Sequence, residues 1–558
     1  MGLNRPAPFP LANGWTLLLA GLAVYLPLFW QIPLIRAEAM YALIPREMLA
    51  SGSWLTPTLN GVPYLDKPHL IYWLNLLAYK IFGVSDRVAR LPLLGLTLGE
   101  IYVTYLIGRR LLGREAAWLG GFALLSSIGF FALHLQLLTD HLITLTLAAS
   151  LYFLLRWQEA PGLKWAGAFF LSLSLGFLSK GFIGLVFPLL IVVLYAWQLR
   201  EKRLLSLFAS PGGLILLALL LVPWLVGSEL ANPGFIKFQI VNEQILRFLG
   251  QRQPPDINSF SLPGFWLFLS IWLMPYTPLL PEALWRFWGA TDAAARRPGR
   301  LLIIWAAVVL VFFSLSSSRI EYYSLPALPP LALIIGWRIK RYLETPADRS
   351  LLWAVLAIAL LGLTTLFLLP YLEQVCAGNR REFEGMFNLI APSARPVTFL
   401  IPALALAGFF AGLARRPRLA VVCYGVLALC LVLFTFRTWL ALSPLMSDKV
   451  PAELIRQSAA PQDLVVMEQI EELEYGASLA FYSGHRILMV TRRGLPQFPY
   501  PVDPGQDYLI TPEQLRELWQ GPGRVFLLVD DATPPEPFLT GARVVLAMPS
   551  KRLLANRP

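Results

Sequence analysis

Residues 211–228 read PGGLILLALLLVPWLVGS, eighteen residues without one ionisable side chain. At 1.5 Å per residue a helix of that length reaches about 27 Å, close to the roughly 30 Å of a bilayer's hydrocarbon layer. Within that layer the backbone must satisfy its own hydrogen bonds, which only helices and closed barrels do. Strand-like alternation is absent, so the run predicts a membrane-spanning helix.

Working outward, similar runs fall at 14–34, 89–108, 116–134, 139–155, 164–179, 182–199, 262–281, 301–316, 322–337, 351–370, 397–414 and 419–438. Thirteen spans are therefore expected. The composition of all 558 residues agrees, with 56% hydrophobic and only 14% charged, where a soluble domain carries about 25% charge. A soluble globular protein is excluded. The first run reaches Pro33 without a small-residue cleavage signal and reads as a retained span.

The net charge of +12 could mark a nucleic-acid-binding stripe or loops between spans, and it sits in the loops. With the N-terminus inside, the cytoplasmic turns hold Arg109, Arg110 and Arg114; Arg156 and Lys164; Arg200, Lys202 and Arg203; Arg286, Arg296, Arg297 and Arg300; Arg338, Lys340 and Arg341; and Arg415, Arg416 and Arg418. No nucleic-acid partner is expected. The opposite side receives the long segments 35–88, 229–261 and 371–396 and everything beyond 440.

The expected fold is thus an all-α polytopic membrane domain over 1–440, with an exported first loop at 35–88, followed by a small α/β domain over 441–558. In that domain Asp463 to Met467 and Arg524 to Asp530 read as buried strands, Thr511 to Trp519 as a short helix, and Pro499 to Gln506 as a turn-rich link. The three cysteines are too few for a disulfide framework and are expected to be free thiols.

Ionisable residues at span ends are functional candidates because placing them there is costly. The first exported loop predicts two short helices, Ala37 to Ala50 and a second opening at Asp66-Lys67-Pro68 and running to Phe82 along the membrane interface, with Asp66 as its cap. Asp140 and Lys180 stand at exported ends of spans, as do Arg319, Tyr322 and Tyr323. Glu243 and Arg247 are four apart and share a helix face, a spacing equally served by an ordinary helix ion pair. Carboxylates, cations and tyrosines thus gather where a lipid phosphate headgroup lies. His69, His134, His141 and His485 show no metal-ligand spacing and are expected to be structural. Glu100 is the main charge inside a predicted span. No phosphate-binding glycine loop is present, so no nucleotide cofactor is expected.

The runs EAMYALIPREM at 38–48 and GSWLTPTLNGVPYLDKPHLIYW at 52–73, with Leu138-Thr-Asp140, Leu178-Ser-Lys-Gly181, Pro223-Trp224, SRIEYYSLP at 318–326, SLAFY at 478–482 and ANRP at 555–558, resemble the aminoarabinose transferase and protein O-mannosyltransferase family. The resemblance covers nearly the whole chain. It implies a C-type glycosyltransferase fold with thirteen spans and a periplasmic C-terminal domain, which moves a sugar with inversion from a polyprenyl phosphate carrier onto lipid A or protein hydroxyls. It further implies that Lys67 binds the donor phosphate, that Asp66 can hold a divalent metal, that Asp140 is a second acidic site, and that Tyr41 and Tyr323 lie near the donor.

The first loop departs from that pattern. The family carries Asp-Glu with an arginine two residues after the Glu, and here Ala37-Glu38-Ala39-Met40 stands instead, so one acid and one arginine are missing. The histidine expected beside Glu243 is replaced by Gln244. Glu38 and Asp140 are read as base or acceptor-orienting acids, Lys67, Lys180, Arg247 and Arg319 as phosphate-binding, and Tyr41, Tyr322 and Tyr323 as donor-positioning; Asp66 and Glu243 would hold the metal. An acceptor phosphate is already ionised near neutral pH and needs no base, whereas a hydroxyl does. The expected activity is transfer of 4-amino-4-deoxy-L-arabinose to lipid A in the bacterial inner membrane. Protein or other glycolipid O-glycosylation, or lipid-carrier transport without catalysis, stand as alternatives.

Overall fold

Apolar helices dominate the computed structural model, which describes residues 12–27, 30–253, 259–289, 293–345, 348–378, 381–468, 473–491, 508–530, 537–539, 541–548 and 550–557. Six described helices are long and apolar enough to cross a membrane, such as Pro211–Ala231 and Pro417–Met446, and a bent pair raises this to seven. Helices occupy most of the remaining positions where spans were expected, but they fall short of that criterion for identifiable reasons. Thr139–Glu159 buries Asp140, His141, Thr144, Thr146 and Ser150 against its neighbours, so its polarity faces protein rather than lipid. The run 116–134 is two helices, Arg114–Leu125 and Ile128–Leu133, broken at Ser126 and Ser127. The run 262–281 bends by 104° between Leu262–Trp272 and Thr277–Trp288, where Pro275 and Pro278 remove backbone donors.

The long exported segment expected at 371–396 is helical instead, divided between Ser350–Gly378 and Arg381–Leu413. Their most apolar stretches lie within Leu351–Leu368 and Asn388–Leu413, so the polar composition between marks helix ends projecting past the apolar layer. Cys423 and Cys430 are free; the side chain of Cys376 and the turn-rich link at 499–506 lie outside the described residues.

The basic turns meet at one end of the bundle. Arg110 pairs with Glu159, Arg297 with Glu201, and Arg338 with both Glu282 and Asp348. A cleft there is lined by Arg110, Arg203 and Arg297 together. The opposite helix ends carry the first loop and the C-terminal unit.

In the first loop, helix Arg36–Ser51 ends at Gly52 in the left-handed conformation (φ +71°), which glycine adopts without strain. Asn60 and Gly61 then take φ +57° and +78°, the pair suited to a two-residue hairpin turn. They join the strands Thr58–Leu59 and Val62–Pro63. Glu47 holds this hairpin to the helix by accepting from Thr58 Oγ1 at 2.7 Å and from the Asn60 and Gly61 amides at 2.8 and 3.0 Å. The second helix is Leu70–Phe82 with His69, not Asp66, at its cap position. Tyr72 and Tyr79 are buried, because the helix packs on the first one: Tyr79 donates to the Ala42 carbonyl and Asn75 to that of Tyr41, both at 3.1 Å.

The C-terminal unit is a six-stranded mixed sheet ordered Leu509–Ile510, Ile487–Val490, Leu464–Glu468, Val525–Asp530, Lys551–Ala555, Arg543–Ala547. Four strands are parallel and the last two antiparallel. The central strands are buried on both faces. Val465, Met467, Phe526 and Leu528 join the core shared with the helical domain, while Val466, Val525 and Leu527 pack against Leu515 and Trp519 of helix Pro512–Gln520. The Asn60 side chain extends this sheet's hydrogen bonding into the first loop, donating to the Ile487 carbonyl at 2.8 Å and accepting from its amide at 2.9 Å.

Candidate active site

The helix ends opposite the basic turns and the first loop enclose a cleft lined among others by Asp66, Lys67, Lys180, Glu243, Arg247 and Tyr323. Six of the residues singled out in the sequence therefore meet in one cavity, although they span nearly half of the chain. Gln244, Phe312, Phe313, Ser316 and Ser318 complete much of the wall.

Local folding places each group. Asp66-Lys67-Pro68 forms the bend before helix Leu70–Phe82, so the Lys67 ammonium extends from a loop into the cleft. Among the described residues Lys67 makes no hydrogen bond or ion pair. Burial and then the neighbouring Arg247 cation lower its pKa, against the pull of Glu243 and Asp66. Lys180 ends helix Leu163–Lys180 and reaches Asp140 at 2.5 Å, with its ammonium 4.2 Å from the ring centre of Tyr323 and 5.6 Å from that of Tyr322. Gly181 follows at φ +75°, and a Cβ there would lie 2.5 Å from the Gln244 amide nitrogen. That glycine lets the chain pass beneath Gln244, whose side-chain oxygen accepts from the Phe182 amide at 3.2 Å.

Glu243 and Arg247 lie on a π-helical segment, Phe238–Leu246, and its junction with the next turn; such wide turns recur at functional sites. They form the four-residue ion pair at 2.9 Å, and the pair has a third member. Arg252 donates Nε to Glu243 at 2.7 Å and Nη2 to Asp66 at 2.6 Å. Burial and the nearby Asp66 carboxylate raise the Glu243 pKa, against Arg247, Lys67 and Arg252. The divalent metal implied at Asp66 and Glu243 does not fit this arrangement, because a guanidinium already bridges the two carboxylates. Asp66 thus serves neither as helix cap nor, in this geometry, as metal ligand.

Two singled-out groups lie elsewhere. Glu38 is fully buried and faces Arg90, which donates Nε at 2.7 Å and Nη2 at 2.6 Å to its two carboxylate oxygens and also holds the carbonyls of Ile32 and Pro33. It fastens the entry of helix Arg36–Ser51 and has not moved into the place of the missing acid. Arg319 spends Nε on the Phe260 carbonyl at 3.0 Å and Nη1 on that of Ser316, so it ties two loops together and does not line the cleft. Tyr41 packs beside the site, stacked on Tyr72 at 6.1 Å.

His69 is structural, packed among Trp73, Trp224 and Phe235 with Nε2 3.1 Å from the Leu55 carbonyl, and burial lowers its pKa to about 4. His134 and His141 instead join Glu100 in a buried group that can hold a metal ion. Arg252 and this trio are what the sequence reading missed. Basic residues are no rarer in 229–261 than in the whole chain, so Arg252 carried no local signal.

Residues 66–226 match the family model described as dolichyl-phosphate-mannose-protein mannosyltransferase. The undecaprenyl phosphate-alpha-4-amino-4-deoxy-L-arabinose arabinosyl transferase of Aeromonas salmonicida is 29% identical over 455 residues, covering 79% of each chain. The chain is a relative of these arabinosyl transferases. One from Pseudomonas fluorescens is 31% identical over 367 residues, covering 62% of this chain and 64% of the relative. Crystal structures of ArnT from Cupriavidus metallidurans superpose over 98% of both chains, with TM-score 0.79 at 24% identity in the apo state and 0.78 at 23% bound to undecaprenyl phosphate. The fold is accordingly that of ArnT, as the motifs of the first loop implied.

Proposed function

We propose that the chain is an inverting membrane glycosyltransferase that moves 4-amino-4-deoxy-L-arabinose from undecaprenyl phosphate to lipid A. The observation that carries this reading is the cleft itself: Lys67 without an ion pair among the described residues, beside Arg247, where the first loop meets the exported helix ends. A doubly anionic or singly anionic phosphate entering there supplies the charge that Lys67 lacks. The sequence similarity to named arabinosyl transferases over 79% of both chains supports the same donor.

In the reaction the bond between the anomeric carbon and the donor phosphate oxygen breaks, and its electron pair stays with the phosphate. Lys67 and Arg247 stabilise the departing oxygens, a contribution of the kind worth about 10²- to 10³-fold in rate per donor group. The acceptor oxygen attacks from the opposite face. Asp140, held by Lys180, orients the acceptor, and Tyr322 and Tyr323 pack against the same ammonium. With both of its oxygens engaged by Arg90, Glu38 does not replace the acid that Ala37 lacks. That favours an acceptor which brings its own ionised oxygen, as a lipid A phosphate does. The proposed placement is the bacterial inner membrane with thirteen spans, the N-terminus cytoplasmic and the C-terminal sheet in the periplasm.

The test is transfer of radiolabelled sugar from a polyprenyl phosphate donor to total membrane acceptors. Native protein is expected to label lipid A, and Lys67→Ala and Asp140→Asn to lose the label while remaining folded. Labelled protein or another glycolipid would change the acceptor. No transfer by native protein from any supplied polyprenyl donor would refute the enzymatic reading.

A further inference from the structure

Glu100, at the middle of helix Leu91–Leu111, His134, following helix Ile128–Leu133, and His141, at the start of Thr139–Glu159, are each fully buried. One ligand atom from each lies within 4.8 Å of the others. Placing three ionisable groups in an apolar bundle is expensive unless they serve one another or a ligand. The direction of their protons decides which.

His134 Nδ1 is 2.6 Å from the Phe130 carbonyl and His141 Nε2 is 3.0 Å from that of Gln136. A carbonyl only accepts, so these two nitrogens carry the hydrogens, and in neutral rings the other nitrogens present bare lone pairs. Those lone pairs, His134 Nε2 and His141 Nδ1, face the same carboxylate oxygen, Glu100 Oε1, at 3.1 and 3.8 Å. Three acceptors thus converge on one point. His141 Nδ1 and Glu100 Oε2 have no hydrogen-bond partner, and a buried polar atom left so is costly.

A single cation resolves all of this. Tetrahedral bonds of about 2.0–2.1 Å set ligand atoms roughly 3.3–3.4 Å apart, between the two observed spacings. The backbone bonds on the distal nitrogens are the outer support that metal-bound histidines ordinarily have. We infer that Glu100, His134 and His141 form a buried zinc-type divalent cation site that staples three helices together. Its position adds a consequence. Asp140 precedes His141 directly, so a cation on His141 Nδ1 fixes the helix turn that presents Asp140 to Lys180. The site is separate from Asp66 and Glu243, whose carboxylates Arg252 already bridges.

The test uses the full chain purified in detergent, dialysed against Zn²⁺, desalted and assayed for metal by mass spectrometry. About one zinc per chain is expected in native protein and in Glu243→Gln, with His141→Gln and His134→Gln retaining less than about a tenth of that. Replacement by Co²⁺ should give the intense visible bands of a tetrahedral site in native protein and lose them in His141→Gln. Because a buried variant can misfold, the native protein is also read alone: chelation should lower its melting temperature and Zn²⁺ should restore it. Native protein that retains no zinc and melts identically with and without chelator would overturn the site in favour of a protonated Glu100 donating to His134. Zinc retained in full by both histidine variants would overturn it equally.

Discussion

Replacing Arg252 with alanine removes the guanidinium that Asp66 and Glu243 share, and burial fixes how the consequence depends on pH. Glu243 keeps Arg247, with the Lys67 ammonium nearby, but loses the guanidinium that stands between it and Asp66. Removing one partner of a buried ion pair costs about 3–5 kcal/mol. The side chain of Arg252 keeps some solvent contact, which screens the interaction, so a loss of about 2–3 kcal/mol is expected at neutral pH. Burial already raises the Glu243 pKa in the native protein, and loss of Arg252 raises it further. An acid whose pKa is raised on folding has its full stability below the unfolded value of about 4.3 and loses it as pH rises through the folded value. The deficit of Arg252→Ala should therefore be largest near about pH 8 and shrink toward about pH 5. Thermal unfolding in detergent across that range measures it, and a deficit that is flat or grows on the acid side would refute the reasoning. The two exposed carboxylates of the variant also suit a hard divalent cation. Added Mn²⁺ should recover part of the lost stability in the variant and leave the native protein unchanged; equal stabilisation of both would show that Arg252 does not occupy the cation position.

Burial and Arg247 lower the Lys67 pKa, so undecaprenyl phosphate binding should weaken on the alkaline side before an ordinary lysine titrates near about 10.4. Calorimetric titration across pH checks this, and Lys67→Arg, charged throughout, should flatten that limb. Glu38→Gln should destabilise the protein by about 3–5 kcal/mol because it strands the buried Arg90, while the folded fraction keeps its turnover; a stable variant without transfer would return Glu38 to the chemistry. Asn60→Ala removes two buried hydrogen bonds to Ile487, at about 1 kcal/mol each. It should speed proteolysis at the junction of the first loop and the sheet, read by gel against time.

What the sequence disclosed is governed by the range of the interaction. Apolar runs and the strands at 464–468 and 525–530 are local patterns; those two strands fall within a residue of their expected places, while helix ends set by packing, such as Arg381 of Arg381–Leu413, lie well outside the apolar run. Asp140 and Lys180 were legible for the same reason, as costly groups at the ends of such runs, and Lys67 through the resemblance of the first-loop motif. Pairings were not. Glu38 and Arg90 are 52 residues apart, and Asp66 and Arg252 are 186 apart, so nothing in either neighbourhood specifies the partner. The histidines were hidden by topology: His134 and His141 show no ligand spacing along the chain, and only the break after Ile128–Leu133 turns both rings toward Glu100.

This distinction bears on the missing acid at position 37. A longer side chain at Glu38 is a plausible replacement when only the neighbourhood is read, yet Arg90 claims both oxygens of that carboxylate. Moving Glu38 into the cleft would strand a fully buried guanidinium, at a cost of about 3–5 kcal/mol, as large as what a single catalytic contact returns. On the proposed reading the reaction proceeds with charge on the leaving group and an acceptor that is ionised on arrival. An acceptor hydroxyl should accordingly react poorly in this chain, and substituting Asp for Ala37 should improve transfer to a hydroxyl more than to a phosphate. Competition between a lipid A phosphate and a dephosphorylated lipid A, compared in the native chain and Ala37→Asp, reads that ratio directly; equal gains on both acceptors would mean that the absent acid does not select the acceptor.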